Sequence, residues 1–453
     1  MEEQFMTESN NNLNKIDSKK FFSITYGCQM NENDTERLAG QLRCLGYEEG
    51  QDMESADLIF INTCCVRESA ENKIYGKIGE LKRLKSNNPN LIVGVTGCMA
   101  QKNREKLFKR APHIDFILGT HNVHQLIKVV KDVEESKQQV LAVIDSAEEM
   151  PSSIPTARKG GVSAWVTIMY GCNNFCTYCI VPYVRGRERS REVVDIIEEI
   201  KQLAATGVKE VTLLGQNVNS YGKDNNGADF ADLLAEIDKV DGIERIRYMT
   251  SHPRDMNDKV IETIKNSNKI CEHFHLPIQS GCNEILKEMN RGYTVEYYKE
   301  LVQKIRTALP NASITTDLIM GFPGETPDHF AETLELIKAI KYDAAYTFLY
   351  SKRSGTPAAT MLNQVELSEK KKRLQALMAV QNDISLNINK SYEGKVVEVM
   401  VEGPSKSDKT RFTGRTRTNK IVIWDKQGDE ATGDLINVKI TKAQTWVLNG
   451  ELI

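Results

Sequence analysis

The sequence lacks any long hydrophobic run. In 453 residues, no apolar stretch approaches the roughly 20 residues that span a bilayer, which excludes a membrane-spanning protein. The first 20 residues are polar and rich in asparagine, and they lack the apolar core of a secretory signal. We therefore expect a cytoplasmic protein without a membrane partner, which begins with a disordered leader over residues 1–20.

The chain also lacks an excess of charge of one sign. The 59 Lys and Arg residues against 62 Asp and Glu residues give a formal net charge of -3. A globally basic nucleic-acid-binding protein is therefore not indicated, although a local basic patch is compatible with this charge. At about 150 residues per domain, the length predicts roughly three domains.

Ten cysteines stand out against this ordinary composition. Three of them, Cys28, Cys64 and Cys98, each end a short apolar run that is followed by an amphipathic stretch. This strand–helix rhythm predicts an α/β domain with a parallel sheet over residues 21–150. All three cysteines should then lie at the carboxyl edge of the sheet, where open α/β folds bind ligands.

A Pro-, Ser- and Gly-rich linker at 145–161 precedes a second strand–helix series. Six parallel strands with helices outside them predict a partial (β/α)6 barrel over residues 158–388, with its active site at the carboxyl ends of the strands. After a long helix at 366–389, short alternating strands predict a small five-stranded β-barrel over 389–453. The six barrel strands are expected at 164–170, 210–214, 246–250, 273–278, 313–320 and 345–350.

Cys172, Cys176 and Cys179 form a CxxxCxxC motif directly after the first strand of the barrel. Three thiolates on a tight loop can bind three irons of a four-iron cluster and leave the fourth iron open. The alternative is a structural zinc loop, but such sites usually have four ligands, and no fourth Cys or His lies nearby in sequence.

Residues at the other strand ends are candidates for a cofactor site. Asp317 lies inside an apolar run, where a carboxylate is costly unless it is paired, so we expect a polar contact inside the barrel. Glu325 is also a candidate for the cofactor site, but helix initiation by Thr326 and Pro327 explains its motif equally well. The remaining candidates at strand ends are Gly215, Gln216, Asn217, Ser251 and Gln279.

Arginines follow the CxxxCxxC motif at alternate positions, 185, 187, 189 and 191. On an extended loop they would face one way and could bind phosphate or a carboxylate. Arg185 and Arg187 are the preferred candidates, and Arg353 after the last barrel strand is a further one. A solvated charged loop is the alternative.

Cys28, Cys64 and Cys98 could together bind a second iron–sulfur cluster. Their alternative is a structural role, since free cysteine is often a small buried hydrophobe. Cys65 is expected to point away from this site. Cys44, Cys271 and Cys282 are interpreted as structural.

Several motifs resemble those of the methylthiotransferase family, within the radical S-adenosylmethionine (SAM) superfamily. They are GCQMN at 27–31, NTC at 62–64, Arg67-Glu68, TGCMAQ at 96–101, the CxxxCxxC motif and PYVRG at 182–186. The resemblance implies two [4Fe-4S] clusters, one that cleaves SAM to a 5′-deoxyadenosyl radical and one that supplies or carries sulfur. It places Tyr178 near the adenine of SAM and implies an electron donor such as flavodoxin or ferredoxin. We expect a monomer.

Members of this family differ in substrate. The stretches TSHP at 250–253, HLPIQSG at 275–281, MNRGYT at 289–294 and SKRSGTPAA at 351–359 are most similar to members that methylthiolate C2 of N6-isopentenyladenosine at position 37 of tRNA. The open alternatives are threonylcarbamoyl adenosine in tRNA, a ribosomal protein, or a non-catalytic iron–sulfur or zinc tRNA-binding module.

The small C-terminal barrel resembles a TRAM domain, which implies RNA binding. Residues 406–420 contain six basic side chains and one acidic side chain, a local electrostatic footprint for the phosphates of a tRNA anticodon loop. Arg411 and Arg415 are the candidate phosphate contacts, and Phe412 is a candidate stacking surface. A solvated turn is the alternative.

Overall fold

The computed structural model describes residues 18–65, 68–145, 154–158, 160–225, 227–406 and 408–453, with the backbone alone for 68–72. Most of the predicted leader and the middle of the predicted linker lie outside these residues, as does Arg67. The chain divides into two compact units, Met1–Arg158 and Lys159–Ile453. No described helix is long and apolar enough to cross a membrane.

The first unit is built around a parallel sheet with the strand order β2-β1-β3-β4-β5-β6. Its described strands, β1 to β6, are Lys20–Thr25, Glu48–Glu49, Leu58–Thr63, Ile92–Gly97, Phe116–Leu118 and Val140–Ala142. Its described helices, α1 to α5, are Gln29–Cys44, Glu68–Asn87, Cys98–Asn103, Glu105–Arg110 and Leu126–Ser136. The predicted parallel α/β fold is confirmed.

Burial explains why the central strands of this sheet form where they do. Every residue of β3 and β4 is buried, as expected for a strand covered on both faces. Gly94 has no room for a side chain, because a Cβ there would lie 2.0 Å from the ring of Phe116. The glycine therefore allows β5 to pack closely against β4.

The second unit begins with the predicted partial barrel. Its described strands, β7 to β14, are Ser163–Thr167, Met169–Tyr170, Arg189–Ser190, Glu210–Leu214, Arg245–Tyr248, His273–His275, Ser313–Met320 and Ala344–Leu349. Its described helices, α6 to α13, are Val181–Arg185, Val193–Ala205, Phe230–Asp238, Asp258–Lys265, Asn283–Glu288, Val295–Ala308, Pro327–Ile340 and Leu367–Lys390.

Six parallel strands form the barrel wall, as predicted. The sheets β7-β10-β11 and β12-β13-β14 are linked by a parallel bridge between Ile246 and Ile270. In the part of the chain that the structure describes, no pairing between β7 and β14 closes the wall. Phe274, Ile314 and Leu318 belong to the buried core that packs under the helices, so the alternate residues of these strands face the lumen.

The C-terminal strands form a closed five-stranded barrel in the order β15-β16-β17-β19-β18. These strands, β15 to β19, are Val396–Pro404, Arg411–Arg415, Ile421–Asp425, Leu435–Ala443 and Val447–Leu452. The barrel core includes Val399, Val422, Trp424 and Ile440. The prediction of a small five-stranded barrel is confirmed.

Candidate functional site

The loop that carries Cys172, Cys176 and Cys179 follows the first barrel strand and is fixed to its surroundings by backbone hydrogen bonds. The N–H of Cys172 donates to the carbonyl of Gly186 (3.1 Å), and the N–H of Thr177 donates to that of Met289 (3.1 Å). Gly171 has a φ of +71°, and a Cβ there would lie 2.0 Å from the carbonyl oxygen of Arg187. Only glycine fits at this position.

Two polar side chains donate to the sulfur atoms of this loop. Asn174 Nδ2 lies 3.4 Å from Cys172 Sγ, and Arg291 Nη1 lies 3.3 Å from Cys176 Sγ. Burial raises the pKa of Cys172 to about 12 and the pKa of Cys179 to about 11, and the neighbouring thiols contribute to both shifts. The three thiols therefore share one small, largely desolvated region.

The donor set fits an iron–sulfur cluster better than a single ion. Among the described residues, no group of three or more His, Cys, Asp or Glu side chains is arranged to hold one metal ion. In a four-iron cluster each thiolate binds a different iron, so the three sulfurs do not have to surround one point. Charged and amide donors to sulfur are also typical partners of cluster ligands.

Arg291 is a site residue that sequence reasoning missed. Its buried guanidinium also donates to the carbonyl of Pro277 (2.7 Å) and to the Tyr293 hydroxyl (3.0 Å), and it approaches the Tyr178 hydroxyl (3.4 Å). Arg291 belongs to the stretch MNRGYT at 289–294, but this stretch indicated only the substrate class. An arginine next to Gly292, after a short helix, gives no signal of burial in the sequence.

The ends of β10 and β11 carry a buried polar network. Asn217 Nδ2 donates to Asp255 Oδ2 (2.7 Å), and its Oδ1 accepts the N–H of His252 (3.1 Å). Lys223 Nζ donates to the other oxygen of Asp255 (2.7 Å). The amide of Asn217 thus makes hydrogen bonds within the protein, and its assignment as a cofactor contact stays a prediction.

Two buried polar atoms at the end of β11 have no hydrogen-bond partner among the described residues. They are Ser251 Oγ and His252 Nε2. Burial lowers the pKa of His252 to about 2, so its ring is neutral. Since Nδ1 accepts the N–H of Arg254 (3.3 Å), the ring proton belongs on Nε2. An unmatched hydroxyl and an unmatched N–H fit a polar ligand at the carboxyl end of the barrel.

The other cofactor candidates have different surroundings. A Cβ on Gly215 would lie 2.6 Å from Met169 Cγ, so close packing explains this glycine. Gln216 is half-buried next to it. Gln279 is buried with a φ of +74°, and its backbone N–H bonds to the carbonyl of Asp317 (2.9 Å). These positions line the end of the barrel wall, as the strand pattern predicts.

Asp317 has the polar contact that its sequence context predicts. Its Oδ1 lies 3.5 Å from His275 Nε2, on the lumen side of β12 and β13. The other ring nitrogen of His275 bonds to the Thr315 hydroxyl (3.0 Å), and the exposed ring of Tyr346 packs edge-on against the imidazole. Asp317 is therefore a paired group that remains partly open to the lumen.

The four alternating arginines do not share one face, which contradicts the extended-loop expectation. Arg185 is buried at the end of α6, and Arg187 is exposed. Arg189 belongs to the short strand β9, with its guanidinium 6.0 Å from the ring centre of Tyr170. Arg191 pairs with Glu199 (2.7 Å). The alternation is interrupted by the end of α6, by a glycine at 186 with a φ of +76°, and by the strand β9.

Arg353 and Glu325 have distinct roles in the structure. Arg353 Nη1 donates to the carbonyl of Tyr178 (3.2 Å), which places it against the cysteine loop. Glu325 is buried and pairs with Arg373 of α13 (2.7 Å). Thr326 caps α12 with Pro327 in its first turn, so helix initiation accounts for this motif.

In the first unit, Cys28, Cys64 and Cys98 follow the adjacent strands β1, β3 and β4 at their carboxyl ends, as predicted. A Cβ on Gly27 would lie 3.1 Å from Cys64 Cβ, so the first two strand ends are in close contact. Asn31 Nδ2 donates to the carbonyl of Thr63 (3.0 Å) and fixes α1 against this edge.

The prediction that Cys65 points away from this edge is wrong. Its thiol is buried, and it forms a hydrogen bond with the thiol of Cys98. This hydrogen bond, burial and the nearby Cys64 raise the pKa of Cys65 well above its usual value. The chain turns after β3, so two consecutive cysteines do not alternate sides as they would in a strand. The edge thus carries a fourth thiol.

One of the three RNA-contact candidates in the small barrel, Phe412, is corrected by the structure, and the phosphate contacts of Arg411 and Arg415 stay predictions. Phe412 is buried in the barrel core, edge-on against Trp424, and offers no stacking surface. Arg415 pairs with Glu402 (2.8 Å). Arg411 is half-buried next to the exposed Asp425 (3.0 Å). A strand places alternate residues inside, and Phe412 is on the inner side of β16.

Other basic residues of this segment hold the small barrel to the (β/α)6 barrel. Arg417 pairs with Glu272 (2.7 Å) just before β12, and Lys420 pairs with Asp343 (2.8 Å) just before β14. Arg247 of β11 donates to the carbonyl of Thr416 (2.8 Å). The pairs of Arg417 and Lys420 lie at the amino ends of barrel strands, opposite the cysteine loop.

Three family models match the chain. The uncharacterized protein family UPF0004 matches residues 20–119, the radical SAM superfamily matches 166–337, and the TRAM domain matches 390–453.

Whole-length relatives agree with this arrangement. The chain is 55% identical over 438 residues to the tRNA-2-methylthio-N(6)-dimethylallyladenosine synthase of Carboxydothermus hydrogenoformans, covering 96% of this chain and 99% of the relative. It is 52% identical over 456 residues to the synthase of the same name from Desulforamulus reducens, covering 100% and 99%. The chain belongs to the tRNA-2-methylthio-N(6)-dimethylallyladenosine synthase family. Membership in this family confirms the methylthiotransferase resemblance.

Solved structures support the fold of this synthase family member. The radical SAM methyltransferase TsrM from Kitasatospora setae superposes with a TM-score of 0.56 at 16% identity, over 76% of this chain and 75% of that one. The cobalamin-dependent SAM radical enzyme OxsB superposes with a TM-score of 0.53 at 15% identity, over 81% and 56%. At such identities the likeness shows the fold alone.

Proposed function

We propose that the chain inserts a sulfur atom and a methyl group at C2 of N6-isopentenyladenosine at position 37 of tRNA, in a SAM-dependent reaction. The observation that carries this proposal is the presence of two separate cysteine triads in a chain that also contains a TRAM barrel. One triad lies at the carboxyl ends of three parallel strands, and the other lies in the loop after the first barrel strand. One triad serves cleavage of SAM and the other serves sulfur insertion.

Cys172, Cys176 and Cys179 would hold the first [4Fe-4S] cluster. When bound, this cluster would supply a binding site for SAM and the electron for its cleavage. Arg291 and Asn174 donate to the ligand sulfurs and stabilise their negative charge. Ser251 and His252 offer the unmatched hydroxyl and N–H that can bind the polar groups of SAM.

The remaining cofactor contacts complete a SAM site around the barrel end. Tyr178 lies in the cysteine loop, with its hydroxyl 3.4 Å from the guanidinium of Arg291, and provides an aromatic ring there. Gly215 and Gln216 give backbone access at the end of β10, and Gln279 and Asp317 offer polar groups from the opposite sheet. Asn217 supports this site indirectly, because its amide positions Asp255 and the backbone of His252.

Cys28, Cys64 and Cys98 would hold the second [4Fe-4S] cluster, on three neighbouring strand ends. When bound, it supplies the sulfur chemistry. Cys65 contacts Cys98 directly and is a neighbour of this site rather than one of the three proposed ligands.

The tRNA anticodon loop would be bound by basic side chains that protein carboxylates do not fully neutralise. Lys406 and Lys409 are exposed in the small barrel, next to Arg411. Arg187 and Arg353 lie at the cysteine loop. An unpaired adenine can leave the stack and enter a recessed barrel. We further propose a cytoplasmic monomer that receives electrons from a flavodoxin or ferredoxin.

A deletion strain tests the substrate assignment. Mass spectrometry of its tRNA nucleosides should show that the 2-methylthio derivative disappears and isopentenyladenosine accumulates, and a plasmid copy of the gene should reverse both changes. A loss of 2-methylthio-threonylcarbamoyl adenosine instead, or of the modified ribosomal protein, would move the assignment to another member of the family.

A further inference from the structure

Two exposed side chains and one half-buried ring form an aromatic and cationic group at the cysteine loop. The ring centres of Phe175 and Tyr183 are 5.8 Å apart in an edge-to-face arrangement. The guanidinium carbon of Arg187 lies 4.3 Å from the ring centre of Phe175, on its face. We call Phe175, Tyr183 and Arg187 the rim cluster, because they surround the edge of the loop that carries the three cysteines.

The backbone is organised to hold Phe175 in this position. Phe175 has a φ of +46°, a left-handed conformation that residues with a Cβ rarely adopt. Asn290 Nδ2 stabilises it by donating to the carbonyls of Asn174 (3.1 Å) and Phe175 (3.2 Å). Strain of this kind, held by the surrounding structure, is typical of functional positions.

Tyr183 and Arg187 are both directed to solvent. The short helix α6 buries Pro182, Val184 and Arg185, whereas Tyr183 is 49% exposed. Arg187 is exposed, and no acidic side chain in the described part of the chain pairs with it. The cation–π contact with Phe175 restricts the arginine without neutralising it, so its donors stay available to an anion.

An exposed ring beside a fixed, unpaired arginine is the chemistry that binds single-stranded nucleic acid. Bases stack on aromatic rings, and phosphates bind guanidinium groups. Both side chains lie within about 6 Å of one ring in the loop that carries Cys176. A nucleotide bound there is adjacent to the reacting centre.

We propose that the rim cluster binds an unpaired nucleotide next to the modified adenosine. Tyr183 stacks on its base, and Arg187, held by Phe175, contacts its phosphate. This inference rests on the proposed function, since it takes the substrate to be a tRNA anticodon loop.

Fluorescence anisotropy tests the stacking role of Tyr183. The probe is a labelled anticodon stem–loop RNA that carries N6-isopentenyladenosine at position 37, titrated anaerobically with the full-length protein. Tyr183→Ala should weaken binding about tenfold, because it removes one base–aromatic stack. Tyr183→Phe and the control Tyr297→Ala, an exposed tyrosine on α11, should stay within about twofold of the wild type.

The salt dependence of binding tests Arg187 separately. Arg187→Gln should reduce the slope of log affinity against log salt concentration by about 0.7, as expected for the loss of one phosphate contact to a single strand. Phe175→Leu should reduce the slope in the same direction, because it releases the guanidinium. Circular dichroism of each variant confirms that it is folded.

Two results would overturn the inference. One is binding by Tyr183→Ala and Arg187→Gln that matches the wild type in affinity and slope. The other is unchanged RNA binding by these variants together with a loss of SAM cleavage when reduced flavodoxin supplies the electron, but not when dithionite supplies it. That result would make the surface a docking site for an electron donor. If the wild type itself does not bind the RNA hairpin, the tRNA substrate of the proposed function fails instead.

Discussion

Arg291 connects the cysteine loop to the rest of the barrel end. It is buried, and it donates to one sulfur, one carbonyl and two phenols. Its guanidinium lies 3.3 Å from the sulfur of Cys176 and fixes the carbonyl of Pro277. It is therefore both a structural and an electrostatic residue.

The substitution Arg291→Met should destabilise the cluster-free protein by about 2 kcal/mol, because it removes the buried hydrogen bonds that the guanidinium donates to the Pro277 carbonyl and the Tyr293 hydroxyl. Urea unfolding measures this change. The control is Arg43→Met at the end of α1, whose side chain is about half exposed, and it should change the unfolding free energy by less than about 0.5 kcal/mol. Equal losses of unfolding free energy from the two substitutions would show that Arg291 stabilises the protein no more than an exposed arginine does.

Substitution of Cys65 tests whether this cysteine is a ligand of the second cluster or only a neighbour of the ligands. If the assignment is correct, anaerobically reconstituted Cys65→Ser binds about eight irons per chain, like the wild type, whereas Cys64→Ser binds about four. An iron and sulfide assay measures both variants. Loss of about half the iron from Cys65→Ser would make Cys65 a cluster ligand.

Buried histidines predict a pH dependence of stability. Burial is the main cause that lowers the pKa of His273 well below its usual value, and His275, Arg247 and Lys420 add to the shift. Below pH 6.5 the unfolded chain binds a proton at this residue that the folded chain does not, so stability falls as the pH falls. His273 should contribute about 2 kcal/mol to the loss between pH 7 and pH 5.

Urea unfolding at both pH values checks this contribution by comparing the wild type with His273→Gln. The variant should show the flatter dependence on pH. A wild-type stability that rises between pH 7 and pH 5 would contradict the assignment of a neutral buried imidazole.

At the scale of single elements, α13 is held by a buried ion pair. Arg373 of α13 and Glu325 in the loop after β13 are both almost fully buried and 2.7 Å apart. The same carboxylate accepts the N–H of Gly321 (3.0 Å). The pair thus anchors the long helix to the end of a barrel strand.

Arg373→Met should destabilise the chain by about 3 kcal/mol, because it leaves the carboxylate of Glu325 buried and unpaired. Adding Glu325→Gln to this variant should restore part of the loss, since the amide can keep the bond to Gly321 without a charge. Denaturant unfolding of the two single variants and the double variant measures the coupling. Purely additive losses would mean that the two residues do not act as a pair.

The sequence predicts long strands better than short ones. Glu210–Leu214 and Ser313–Met320 have the predicted bounds, because continuous apolar and β-branched runs identify buried strands. β12 ends at His275, earlier than predicted, because Pro277 lacks an N–H and Ile278 donates to the Thr316 hydroxyl. The strands β2, β5 and β6 have two or three residues each, too few for a pattern.

The candidate site could be predicted only where the backbone determines it. The six cysteines lie at the strand ends or in the loop where the strand pattern places them. The side-chain network of Arg291, Asn217 and Asp255 could not be predicted, because it depends on tertiary contacts between distant segments. The predicted direction of the Cys65 side chain was wrong for a local reason, since strand alternation no longer applies after Thr63.

At the scale of the whole molecule, the net charge of -3 does not show how the basic residues are distributed. Part of the basic C-terminal segment pairs with the (β/α)6 barrel through Arg417 and Lys420, and part stays exposed at Lys406 and Lys409. A basic run in sequence therefore divides into residues that pair within the protein and residues that stay exposed, for which we propose contact with RNA. In this proposal, sulfur insertion, SAM cleavage and RNA binding belong to successive segments of one chain.

The central claim is that the two cysteine triads perform separable parts of one reaction. The most direct test measures 5′-deoxyadenosine and the methylthiolated nucleoside in the same anaerobic reaction with tRNA. Cys176→Ala should abolish both products, whereas Cys64→Ala should still form 5′-deoxyadenosine but no methylthiolated nucleoside. A Cys64→Ala variant that still makes the methylthiolated nucleoside would contradict the account.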